Sequence, residues 1–119
     1  MKITIIEQNR DLLASLERFL EKIDNEVEVY FDPLNLLSKD KIDCDLLLVD
    51  QSIPRVKYMD AISIIKKKCP GCYVAVLLDE YSLDLEISKD NIVNEYISRP
   101  FLQNQLIELL NRVKERDKR

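Results

Sequence analysis

The run Asp45-Leu46-Leu47-Leu48-Val49-Asp50 constrains this chain more than any other segment: an unbroken apolar stretch closed at both ends by carboxylates. A strand that is apolar on both faces must be covered on both, as in the middle of a parallel sheet flanked by helices. Four more segments have strand composition, at 2–6, 27–31, 73–78 and 95–97. Amphipathic segments lie between them. From 10 to 23, Leu12, Leu13, Leu16, Phe19, Leu20 and Ile23 recur at helical spacing, and Asn9 is suited to cap that helix. Asp32-Pro33 offers a cap and a first-turn proline for a short helix ending at Leu37. A third helix is expected over 59–68, with Ile62, Ile64 and Ile65 apolar. Lys66-Lys67-Lys68 stand at its end, where the helix dipole favours cations. Leu83, Leu85 and Ile87 alternate, so any helix between 79 and 94 should be short or irregular. Phe101, Leu102, Leu106, Leu109, Leu110 and Val113 set one face of a last helix.

Five strands each followed by a helical segment give a (βα)5 order. Right-handed crossovers then imply a parallel sheet with helices on both faces, a doubly wound α/β domain; the expected fold is flavodoxin-like, with strand order 2-1-3-4-5. The 119 residues suit one domain, 1–119, and the sign-alternating tail from about 114 suits a solvated helix end or a linker to an output domain. Composition excludes several functions. There is no histidine, which removes the usual acid/base at neutral pH and the commonest metal ligand. The net charge of −4 speaks against a nucleic-acid surface. No apolar run approaches the ~20 residues of a membrane helix, and the first six residues are too short for a signal-peptide core. The expected compartment is the cytoplasm, with thiols reduced.

In open parallel sheets, ligands sit beyond the carboxyl ends of the strands. That rule gathers Glu7, Gln8, Asp50, Leu78, Asp79 and Arg99 into one neighbourhood. The segments that carry them are Ile3-Thr4-Ile5-Ile6-Glu7-Gln8-Asn9-Arg10-Asp11, then Asp45 to Asp50 with Pro54 four residues on, then Glu95-Tyr96-Ile97-Ser98-Arg99-Pro100-Phe101. In this order and spacing the chain resembles the receiver domains of two-component response regulators. The resemblance runs from Lys2 to about Val113.

The resemblance implies a set of roles. Asp50 matches the aspartate that accepts a phosphoryl group. Glu7 and Gln8 match the acidic pair which, with the acceptor and the backbone carbonyl of Ser52, would hold Mg2+ and offset the crowded negative charge. Arg99 matches the lysine that contacts the phosphoryl group. Leu78 and Tyr96 match the switch pair, a Ser/Thr hydroxyl and an aromatic that turns inward after it. No catalytic residue is implied, and the chain is not expected to be an enzyme.

The departures are chemical. Gln8 removes a charge from the metal site, which should weaken a hard cation's binding. Leu78 offers no hydroxyl, and Arg99 brings a planar fork in place of an ammonium. Asp79 and Glu80 add negative charge, and Arg55 follows Pro54 where the family has glycine. The expected function is therefore an atypical receiver acting through protein–protein interaction, with weak or no aspartyl phosphorylation. The alternative is a working phosphoacceptor at Asp50 with a slowed or altered switch. Expected partners are a sensor kinase or another signalling protein. A homodimer through the fourth helix, fifth strand and fifth helix is a further expectation, with neither nucleic acid nor membrane as partner. A flavodoxin-like nucleotide binder fits poorly, because Glu7-Gln8-Asn9-Arg10 lacks the glycine or hydroxyl groups of a phosphate loop.

Cys69-Pro70-Gly71-Cys72 has the spacing of redox and zinc motifs. It falls at a helix end rather than the helix start that activates a thioredoxin-type thiol. It should lie at the amino ends of the strands together with Cys44, opposite the acidic residues. Incidental cysteines, a disulfide and a metal site all remain open, the last with Asp43 as a fourth ligand.

Overall fold

The computed structural model describes residues 1–78, 92–98 and 103–116. The elements follow the expected alternation: β1 (Lys2–Ile6), α1 (Arg10–Lys22), β2 (Glu26–Tyr30), α2 (Pro33–Leu37), β3 (Leu46–Asp50), α3 (Tyr58–Lys68), β4 (Tyr73–Leu78), β5 (Glu95–Ser98) and α4 (Gln103–Arg116). The five strands form one parallel sheet of order β2-β1-β3-β4-β5. The segment expected to be short or irregular helix falls mostly on 79–91, outside the described residues; α4 is thus the last helix of the sequence reading.

The sheet carries an apolar core on each face, because strand side chains alternate sides. On one face Ile3, Ile5, Leu46, Leu48, Ala75 and Leu77 pack with Leu13, Leu16 and Leu20 of α1 and Leu106, Leu109, Leu110 and Val113 of α4. On the other, Ile6, Leu47, Val49, Val74, Val76 and Leu78 meet Leu36 of α2 and Ala61, Ile62 and Ile65 of α3. β3 is buried at every position, as its unbroken apolar run requires.

Local signals explain most boundaries. Asn9 caps α1 by accepting a hydrogen bond from the Leu12 N–H (3.1 Å), and Asp32 caps α2 by accepting one from Leu34 (2.9 Å), with Pro33 in the first turn. β2 starts at Glu26, whose N–H donates to the Met1 carbonyl (3.0 Å). Phe31 lies beyond its end, with the Arg10 guanidinium 4.6 Å over its ring. Asp45 lies just outside β3 and ties strand starts together: its N–H donates to Lys2, its carbonyl accepts from Tyr73 and its carboxylate from the Lys2 N–H.

Candidate functional site

The carboxyl edge of the sheet brings together two acids that are 43 residues apart in sequence. Ile6 pairs with Val49, so Glu7 and Asp50 follow at the same level of adjacent strands, both buried, at 0 % and 2 % exposure. Each is fixed by the turn it begins. The Glu7 N–H donates to Tyr30 (3.1 Å) and its carboxylate accepts from the Asn9 N–H (3.0 Å), so it sets the entry to α1. The Gln51 N–H donates to Leu77 (3.0 Å), and the Ser52 N–H reaches the Asp50 carboxylate (3.3 Å). Two buried carboxylates side by side are costly unless cations or donors compensate them. Gln8, next to Glu7 in sequence, is exposed, and Ser52 is exposed as well.

On β4, Asp50 pairs with Leu77, and Leu78 follows as the strand's last residue. Leu78 is 3 % exposed and packs into the apolar core that includes Leu47, Val49 and Val76. Tyr96 lies opposite Val76 in β5 and packs against the same core. Its hydroxyl is buried and meets no hydrogen-bond partner among the described residues. Arg99, Asp79 and Glu80, which the sequence assigns to this neighbourhood, lie outside the described residues.

The loop after β3 passes through a left-handed residue. Arg55 has φ 72°, the left-handed conformation that glycine adopts at no steric cost. Its guanidinium meets the Asp32 carboxylate at 3.0 Å, tying this loop to the cap of α2.

At the opposite edge, the sulfur atoms of Cys44, Cys69 and Cys72 all lie within 4.8 Å of one another. Cys44 and Cys72 are buried and Cys69 half-buried. The neighbouring Cys72 thiol, together with burial, pushes the Cys44 thiol up. At Cys72 the Cys44 thiol, with Lys66, Cys69 and Arg116 nearby, outweighs burial and lowers it to about 7. Asp43 does not join them: its carboxylate is largely exposed and pairs with Lys2 at 2.8 Å. The sequence placed the cysteines at one end, but only the fold of the turn shows that all three converge.

No family model matches the sequence, and no curated protein matches it. Solved structures do. A response regulator receiver domain protein from Clostridium thermocellum is 25% identical with a TM-score of 0.84, covering 98% of this chain and 96% of its own. A CheY-like receiver domain protein from Methanospirillum hungatei JF-1 is 22% identical with a TM-score of 0.85 at the same coverage. The response regulator protein TrrA from Thermotoga maritima, solved in complex with Mg2+ and BeF, is 18% identical with a TM-score of 0.80, covering 94% and 97%. Among the described residues, no helix is long and apolar enough to cross a membrane. The chain therefore has the receiver-domain fold of response regulators across nearly its whole length.

Proposed function

We propose that this domain is a signal-transduction receiver that works through protein–protein contacts, with weak or no dependence on aspartyl phosphate. The observation that carries this reading is Leu78. The position from which a hydroxyl would read a phosphoryl group on Asp50 holds a buried side chain committed to the α3-side core. Gln8 supports it from the metal side, since an amide oxygen holds a hard cation less strongly than a carboxylate. Tyr96 then has no hydroxyl at position 78 to follow and acts as a packing residue. The partner is a sensor kinase or another signalling protein. The docking face, for that partner or a second copy, is the one the resemblance implies, the fourth helix, fifth strand and fifth helix of the sequence reading, of which β5 and α4 are described.

A second reading is supported by the buried pair Glu7 and Asp50. Two carboxylates, the Gln8 amide and the Ser52 carbonyl form a partial donor set for Mg2+, and such an ion would neutralise charge on an incoming phosphoryl group. Asp50 would attack phosphorus in line while the donor's leaving group departs, and Arg99 would balance charge. Switching would then be slow or altered, because position 78 lacks its hydroxyl.

Acetyl phosphate with Mg2+, followed by intact mass, separates the two. The first reading expects a negligible fraction of phosphorylated wild-type protein, and accumulation once Gln8→Asp is combined with Leu78→Thr. Stoichiometric phosphorylation of the wild type, abolished by Asp50→Asn, would establish the second reading instead.

A further inference from the structure

We propose that Cys44, Cys69 and Cys72 form a three-thiolate site for one thiophilic closed-shell cation, Zn2+ or Cu(I), at the end of the sheet opposite the acids. The three sulfurs come from two separate stretches of chain yet lie within 4.8 Å of one another. Thiolates sharing one ion at ~2.3 Å stand about 3.8–4.0 Å apart, so the widest separation needs to close by about 1 Å at most. Rotation about single side-chain bonds provides that much.

The scaffold around the sulfurs is already held. Cys69 is the C-cap residue of α3, its N–H donating to Ile65 (2.7 Å), and its thiol reaches the Cys44 carbonyl at 3.4 Å. The Cys72 N–H donates back to Cys69 (3.2 Å) and closes the Pro70-Gly71 turn. Lys66 donates to the carbonyls of Pro70 (3.0 Å) and Cys72 (2.8 Å), and Arg116 of α4 donates to that of Gly71. The turn is thus fixed by two cations. Three thiolates around a divalent ion carry one net negative charge, which Lys66 and Arg116 are placed to offset. Soft thiolates select soft ions, so Mg2+ is not a competitor here.

Packing alone accounts for buried cysteines singly, since a free thiol behaves as a small apolar group. It does not account for the convergence of three, including half-buried Cys69, around a turn held by cations. A disulfide would join only two of the sulfurs at about 2.05 Å and leave the third without a role. With Asp43 engaged by Lys2, a tetrahedral ion would complete its shell with water or an external ligand.

The test is a titration of the reduced protein with Cd2+, followed by thiolate-to-metal charge-transfer absorbance, with Zn2+ in competition. The expected result is saturation at one ion per chain, displacement by Zn2+, and a higher unfolding temperature with Zn2+ bound. Cys69→Ser, at the half-buried position, should weaken binding by more than ~100-fold, beyond what loss of a supporting group costs. Its amide spectrum would verify folding. Absence of a saturable 1:1 band in the wild type overturns the proposal, as does a folded Cys69→Ser that binds like the wild type. A Cys44–Cys72 disulfide forming on oxidation, without Cd2+ binding in the reduced protein, overturns it as well.

Discussion

Under the proposed reading, packing and signalling make opposite demands at residue 78, and Leu78 serves packing. Leu78 is 3 % exposed in a core of Leu47, Val49 and Val76, so a hydroxyl introduced there would be buried among methyl groups. Leu78→Thr is therefore expected to lower stability by about 2–4 kcal/mol, from lost apolar volume and a hydroxyl short of partners. Urea denaturation of the two proteins measures it, and an unchanged midpoint would mean that the position still accommodates a switch hydroxyl. Arg55 shows the same kind of substitution in the backbone. Its φ of 72° is the conformation the glycine would adopt freely. The ion pair with Asp32 is exposed enough to contribute only ~0–1 kcal/mol. Arg55→Ala and Arg55→Gly both remove the pair and differ in left-handed strain, so the glycine variant should be more stable by about 1 kcal/mol. Equal stabilities would show that the loop relaxes out of that conformation.

Among the elements, β5 and α4 are joined by a charged cluster that periodicity does not reveal. Arg112 grips Glu95 with two hydrogen bonds (3.0 and 2.6 Å), and the Tyr73 hydroxyl donates to the same carboxylate. Burial alone would raise the Glu95 carboxyl, but these bonds and the Arg112 charge outweigh it and hold the group below its ordinary value of 4.5. Stability from Glu95 is thus complete above that ordinary value and is lost as pH falls through the lower folded one. Arg112→Ala leaves burial to dominate, so the variant should be less stable than the wild type near neutral pH, with the difference shrinking as pH falls through the Glu95 range. Urea denaturation at a series of pH values reads this directly, and coincident stabilities would refute it. Tyr73 behaves in the opposite sense. Burial first, then its bond to Glu95, pushes it to about 12, so its contribution is full below its ordinary value of 10 and fades as pH rises through about 12.

For the whole molecule, the fold was legible because its signals are local and redundant. The apolar run of β3, the caps Asn9 and Asp32, Pro33 in the first turn of α2 and the paced leucines of α1 and α4 all agree with one topology. Of the candidate site, the sequence placed Glu7, Asp50 and Leu78 at one edge of the sheet, and the structure adds the register, with Glu7 beside Asp50 and Leu78 one residue beyond the Leu77–Asp50 pair. What escaped depends on contacts between distant residues. The convergence of three sulfurs, the left-handed Arg55 and its bond to Asp32, and the Glu95–Arg112–Tyr73 cluster are set by how loops and helix ends meet, and no periodicity encodes that. The same contrast frames the functional account, in which a receiver scaffold is kept while the groups that would read a phosphoryl signal are replaced. Beryllofluoride and Mg2+ titrated into the protein, followed by two-dimensional amide NMR with Asp50→Asn as control, test this most directly. The account predicts no Asp50-dependent shift at Tyr96; saturable shifts that spread from Asp50 to Tyr96 and vanish in Asp50→Asn would contradict it.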